Sequence, residues 1–218
     1  MIRITAFAWV PDFAQGLVRD LRARWALEEA GLPYEVHLLP QGQQATPEHR
    51  KRQPFAQIPV LEDGELVLFE SGAIVLHVAE KSASLLPPEG PARERAKAWV
   101  WAALNSVETA VSQLTNVDLF HADAAWAPAY RPVAEAFAVS RLQKLSDWLG
   151  DRDYLEADGF TAGDLMMTTV LRIPRHTDLI DRWPNLAAYK ARCEARPAFQ
   201  KALADQLRSF EGNEPKAA

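Results

Sequence analysis

Hydrophobic and polar positions follow two different rhythms along the chain. Residues 2–9, "IRITAFAW", alternate and are rich in β-formers, whereas "LVRDLRARWALEEAG" from Leu17 carries apolar residues at helical spacing and stops at Gly31. "LPYEVHLLP" (32–40) predicts a second strand, and "QGQQATPEHRKRQ" a loop with one helical turn. After Pro54, the apolar runs "IPVLED" and "LVLFE" flank Asp63-Gly64, a dipeptide suited to the positive φ of a tight hairpin. Ile74, Val75, Val78 and Ala79 then recur at helical spacing, with Ser71 placed to N-cap the helix. The predicted order is βαβ followed by ββα.

Proline and glycine concentrate in "SASLLPPEGPA", residues 82–92, and every long segment beyond it has helical spacing. The expected division is therefore 1–82, a linker at 83–91, an all-helical region at 92–210 and a frayed tail at 211–218. Thr161 and Asp164 in "FTAGDLMMTTVLR" have capping-box spacing. The hydroxyl accepts from the Asp164 N–H and the carboxylate reaches back to the Thr161 N–H, a structural role.

Composition narrows the function classes. With 48% apolar and 24% charged residues the chain has the makeup of a folded domain, and at net charge -5 with scattered basic residues it offers nothing that tracks a phosphate backbone. Nucleic acid is not an expected partner. Cys193 is the only cysteine, which excludes an internal disulfide and a multi-cysteine zinc site. His37, His49, His77, His121 and His176 show no metal-binding spacing, so no metal is expected. No run nears the roughly 18 apolar residues of a membrane span, and the N-terminus lacks a secretory h-region. A cytoplasmic protein is the expectation.

The chemistry concentrates between residues 53 and 71. Pro59, at the start of a strand, cannot donate to the ladder: it protects an edge or, if the Ile58–Pro59 peptide is cis, leaves the Ile58 N–H and carbonyl turned outward for an extended peptide. Glu70-Ser71 sits where a strand gives way to a helix. The pair is a plain cap with an acid near the dipole, or it holds an α-amino acid head. In the second case the Ser71 N–H and hydroxyl take the carboxylate and Glu70 takes the ammonium.

"QPFAQIPVLEDGELVLFESGAIVLHVAEK" resembles the glutathione-binding half of the cytosolic glutathione transferase family, with its Q-[IV]-P turn, hairpin and E-S-x-A-I helix; a bacterial-type member is expected. "RWALEEAGLPYEV" is similar to that family's first helix and second strand, and "FTAGDLMMTTVLR" to the capping box of a buried helix in its second domain. The resemblance implies a thioredoxin-like α/β N-terminal domain, an all-α C-terminal domain, and a homodimer. It implies glutathione as co-substrate, with Pro59 as the cis-proline, Ile58 pairing with the cysteinyl part, Glu70 and Ser71 holding the γ-glutamyl end, and Gln53 near the glycyl carboxylate. The implied activity is conjugation of the glutathione thiolate to a small hydrophobic electrophile, a detoxification chemistry.

Such an enzyme must favour the thiolate over a thiol whose free pKa is near 8.5, usually with Ser, Tyr or Cys in the loop after the first strand. Here that loop, "WVPDFAQGLVRD", contains no Ser, Thr, Tyr or Cys. Gln15 is the first catalytic candidate, through its amide; the N–H groups of a helix starting near Gly16, and Arg19, are the others. Trp9, Pro11 and Phe13 supply apolar walls. The electrophile is expected between the two domains, against Trp101, Asn105 and Glu108 on one helical face, with Phe120, His121 and Trp126; core packing is the competing role for these stripes. Two alternatives remain open. One is a glutathione-dependent thiol-disulfide reductase, and the other is a non-catalytic glutathione-binding or protein-interaction module on the same fold.

Overall fold

Strand β1 (Ile2–Phe7) is a central strand of a four-stranded mixed sheet of order β2-β1-β3-β4 in the computed structural model, which describes residues 1–156 and 159–214. β2 (Tyr34–Leu39) runs parallel to β1 with Ile4 opposite Val36, while β3 (Leu61–Asp63) is antiparallel with Ile4 opposite Leu61. β4 (Leu66–Leu68) closes the hairpin, Asp63 facing Leu66 across Gly64 and Glu65. The two-residue turn thus lies one position later than Asp63-Gly64. Gly64 supplies its positive φ of 64°.

Helix α1 (Asp20–Ala30) starts at Asp20, not near Gly16, because residues 12–14 form a 3-10 turn and Gly16 adopts φ 75°. It ends where expected, on Gly31 in the left-handed region. After the short α2 (Pro47–Arg50), α3 (Ser71–Ala79) packs beside α1 over Ile74, Val75 and Val78, all fully buried. The predicted βαβ–ββα order is present, and with it the thioredoxin-like architecture of this region.

The second stretch is helical: α4 (Gly90–Ala102), α5 (Thr109–Phe120), α6 (Ala127–Leu149), α7 (Ala162–Leu171), α8 (Pro184–Glu194) and α9 (Pro197–Arg208). Every residue of α7 is buried, and its start carries the predicted capping box. Asp164 Oδ2 accepts from the Thr161 N–H at 2.8 Å and its hydroxyl at 3.0 Å, while Oδ1 accepts from the Leu155 N–H at 2.8 Å and the Tyr189 hydroxyl at 3.0 Å. Burial pushes the Asp164 carboxyl up, and the two N–H bonds oppose that push.

Chain contacts divide the molecule once inside the expected 83–91 linker and again at Arg196, within the stretch expected as one helical region. One unit comprises Met1–Leu85 together with the chain from Arg196, and the other is Leu86–Ala195. The run "LAAYKARCEARPAFQKALADQL" breaks at Pro197, whose missing N–H ends α8 and opens α9. α9 then packs on α1: Phe199 meets Trp25 edge-on at 4.7 Å between ring centroids, and the Arg196 guanidinium takes both Glu29 oxygens at 2.6 and 2.8 Å. The Gln206 amide donates to Asp20 at 2.7 Å, beside the fully buried Asp20–Arg24 pair at 2.8 Å. Of the expected tail, residues 215–218 lie outside the described residues.

Candidate functional site

The sheet registers gather the sequence-predicted positions at one end. Leu61 faces Leu68, so the chain enters β3 through Ile58–Val60 and leaves β4 through Phe69–Ser71 on the same side of the hairpin. β1 runs antiparallel to β3, which brings its outgoing loop, from Ala8 to Arg19, to that same end. Ile58, Pro59, Glu70 and Ser71 are brought together there.

The Ile58–Pro59 peptide is cis. Sheet pairing resumes immediately after it: the Thr5 N–H donates to the Val60 carbonyl at 2.9 Å and Thr5 Oγ1 accepts from the Val60 N–H at 2.7 Å. Among the described residues nothing bonds the N–H or carbonyl of Ile58. A backbone donor and acceptor therefore stand open beside a paired strand, the arrangement into which an extended peptide can be added.

Glu70 rather than Ser71 occupies the N-cap, with φ 68° and ψ 117° and no side-chain cap bond; Ser71 is the first residue of α3. A non-glycine residue held at such a φ costs on the order of 1–3 kcal/mol, and the effect here is to leave the Glu70 side chain exposed while Ser71 turns inward, 5% exposed. Ser71 Oγ accepts from Arg22 Nη1 at 3.1 Å. Because a guanidinium can only donate, this bond engages an oxygen lone pair and leaves the hydroxyl proton to donate elsewhere. Arg22, on α1 and only 3% exposed, is a site residue that sequence reasoning missed. Its signal was a charge set among buried apolar positions of an amphipathic helix.

Gln53 turns its side-chain oxygen into its own loop. It is 2% exposed, and its side-chain oxygen accepts from the N–H groups of Phe55 at 2.6 Å and Gln57 at 3.3 Å. The reason is local: Ala56 has φ 56°, and a turn that tight strands N–H groups that a buried acceptor must satisfy. The loop it holds presents Phe55, 67% exposed, with its ring 6.4 Å from that of Phe69.

Gln15, the predicted catalytic residue, spends its amide N–H groups locally, on the Val10 carbonyl at 3.3 Å and the Asp12 carboxylate at 3.2 Å. Arg19 is exposed just ahead of α1. In the helical unit Trp101 and Asn105 are exposed but Glu108 is buried, so the three do not share one face. Residues Ala103–Glu108 form a π-helical turn, and its extra residue rotates later positions by ~100° from 3.6-residue spacing. Phe120 and Trp126 are exposed, and the His121 and Trp126 rings lie 5.4 Å apart. Among the described residues no cluster of three His, Cys, Asp or Glu is placed to hold a metal ion, and no helix is long and apolar enough to cross a membrane.

Residues 14–80 match the family model described as "Glutathione S-transferase, N-terminal domain". A probable glutathione S-transferase of Oryza sativa subsp. japonica is 32% identical over 186 residues, spanning 80% of this chain and 86% of the relative. Glutathione S-transferase 3 of Zea mays is 35% identical over 207 residues, spanning 84% and 88%. Among solved structures, a glutathione transferase from Burkholderia graminis, with two glutathione molecules bound per subunit, superposes with a TM-score of 0.81 at 25% identity, covering 100% of this chain and 89% of that one.

Proposed function

Since this chain belongs to the glutathione transferase family, we propose that it binds glutathione at the open end of the β3–β4 hairpin and joins the glutathione thiolate to a small hydrophobic electrophile, the thiol proton and any leaving group being released. The observation that carries the proposal is the pairing of two incomplete hydrogen-bonding surfaces. The Ile58 backbone is unpaired among the described residues beside an ordered strand, and the Ser71 oxygen accepts from Arg22, which leaves its hydroxyl proton to donate, next to an exposed carboxylate, Glu70. The cysteinyl portion of glutathione adds to Ile58 ahead of Pro59. Its γ-glutamyl carboxylate takes the Ser71 hydroxyl and the N–H groups of the first turn of α3, and its ammonium takes Glu70.

Thiolate stabilisation falls to main-chain N–H groups in the turn before α1, with that of Val18 unpartnered among the described residues, and with Gln15 in second place because its amide is already engaged. Gln53 shapes the loop instead of touching the ligand. A homodimer, a cytoplasmic location and a detoxifying role complete the reading.

Calorimetry with glutathione, followed by conjugation of an aryl halide, tests the proposal. Binding that falls at least tenfold in a Ser71→Ala, Glu70→Ala double variant supports the site, and unchanged affinity overturns it. The absence of any Ser, Thr, Tyr or Cys from residues 9–20 favours one second reading, a module that binds glutathione without transferring it. Thiolate absorbance separates the two: a bound thiol whose pKa stays at its free value selects the module.

A further inference from the structure

Both main-chain polar groups of Gln57 are held by buried side chains, and one of these is a histidine to which no role has been attached. We propose that His49 is a positioning residue: by holding the Gln57 carbonyl it aims the Ile58 N–H at the incoming peptide ligand. The inference rests on the glutathione-binding reading given above.

His49 lies on α2, 3% exposed, with Nε2 2.7 Å from the Gln57 carbonyl oxygen. A carbonyl only accepts, so Nε2 carries the proton. Nδ1 is buried with no hydrogen-bond partner. The bond from Nε2 is therefore the hydrogen bond that fixes the buried ring. The Gln57 N–H is also engaged, by the Gln53 side-chain oxygen at 3.3 Å, so both main-chain polar groups of Gln57 are held within the protein.

The consequence passes through covalent geometry. The Gln57 carbonyl and the Ile58 N–H belong to the same peptide unit, and that unit is trans, since the only cis bond among the described residues is Ile58–Pro59. In a planar trans peptide the C=O and N–H point in opposite directions. Drawing the carbonyl toward His49 therefore turns the Ile58 N–H away from it, and among the described residues that N–H has no partner. On the far side of Pro59, Thr5 holds both polar groups of Val60. Ile58 is thus the one gap between two anchored residues. A hydrogen bond at a carbonyl also polarises its peptide, strengthening the N–H as a donor by roughly 10–30%.

The test compares glutathione with γ-glutamyl methylamide, which keeps the head group for Glu70 and Ser71 but lacks the cysteinyl backbone. The proteins are wild type, His49→Phe, which keeps a ring and loses the donor, and His49→Gln, whose amide reaches the Nε2 position. His49→Asn, whose shorter amide stops near Nδ1, replaces the phenylalanine variant if that one does not fold. The expected result is a glutathione Kd raised about three- to tenfold in His49→Phe, recovery to within about threefold of wild type in His49→Gln, an unchanged Kd for the methylamide, and a shifted Ile58 ¹⁵N–¹H resonance. A wild-type protein that binds glutathione alongside a His49→Phe variant that binds it equally well overturns the inference alone. So does a variant that loses both ligands in proportion, because that is the signature of general destabilisation. A wild-type protein that does not bind glutathione overturns the underlying reading, and the inference with it.

Discussion

Replacing Arg22 with methionine keeps most of the buried stem and removes the guanidinium 3.1 Å from Ser71 Oγ. Two effects on glutathione affinity follow. The hydroxyl loses the donor that orients it, and a ligand carboxylate bonded to that hydroxyl at ~2.7 Å loses a positive charge at most ~6 Å away. At an effective dielectric of about 20, two charges ~6 Å apart interact by roughly 3 kcal/mol, which bounds the charge effect from above. A lost hydrogen bond to a charged group is worth about 1.5–3 kcal/mol. The glutathione Kd should therefore rise about 10- to 150-fold. Calorimetry on the variant, with circular dichroism to establish that α1 is intact, measures this; Arg22→Lys recovers part of the loss. In a cycle with Ser71→Ala the two losses should be strongly non-additive. A variant that binds within twofold of wild type while Ser71→Ala alone abolishes binding would refute the idea that Arg22 acts through Ser71.

Two further outcomes concern stability. Asp164→Ala strands the N–H groups of Leu155 and Thr161 in the interior; at about 1–3 kcal/mol for each buried unpaired group the loss is on the order of 4 kcal/mol, and urea denaturation showing less than about 1 kcal/mol would contradict the capping account. Hydrogen bonds from Arg182 and then Arg131 hold the Glu135 carboxyl below its ordinary 4.5. A depressed folded value means that this contribution is present above pH 4.5 and is lost as pH falls through the folded pKa. Melting temperature should therefore drop on acidification less steeply in Glu135→Gln than in wild type, and parallel curves would count against the assignment.

What the sequence disclosed and what it hid differ by range. The hairpin, the Gly31 helix end and the Thr161–Asp164 box depend on neighbours within a few residues, and local chemistry announces them. The burial of Arg22 and Arg24 goes with partners far along the chain, Ser71 at a separation of 49 residues and Ser209 at 185. The internal bonds of the Gln53 oxygen were not legible, since the positive φ of Ala56 that calls for them is not written in an alanine. Glu108 left its expected face because a π-helical turn changes the repeat within an otherwise regular pattern. The main-chain N–H groups proposed for the thiolate have no letter in the sequence, which could offer them only as the start of a helix near Gly16.

The placement of α9 against α1 bears on the order in which the protein can assemble during synthesis. Most of the first unit ends at Leu85, yet its buried Asp20–Arg24 pair is completed by Gln206, with about 120 residues in between; at typical synthesis rates of ~5–20 residues per second that is a wait on the order of 10 s. Through that interval the face of Trp25 that meets Phe199 stands uncovered on the nascent chain. The second unit, one continuous stretch, has all of its own residues first. A ribosome-bound chain stopped just before Arg196 should therefore carry a folded helical unit beside an incomplete sheet unit, reversing the usual order in which the N-terminal part of a protein finishes first.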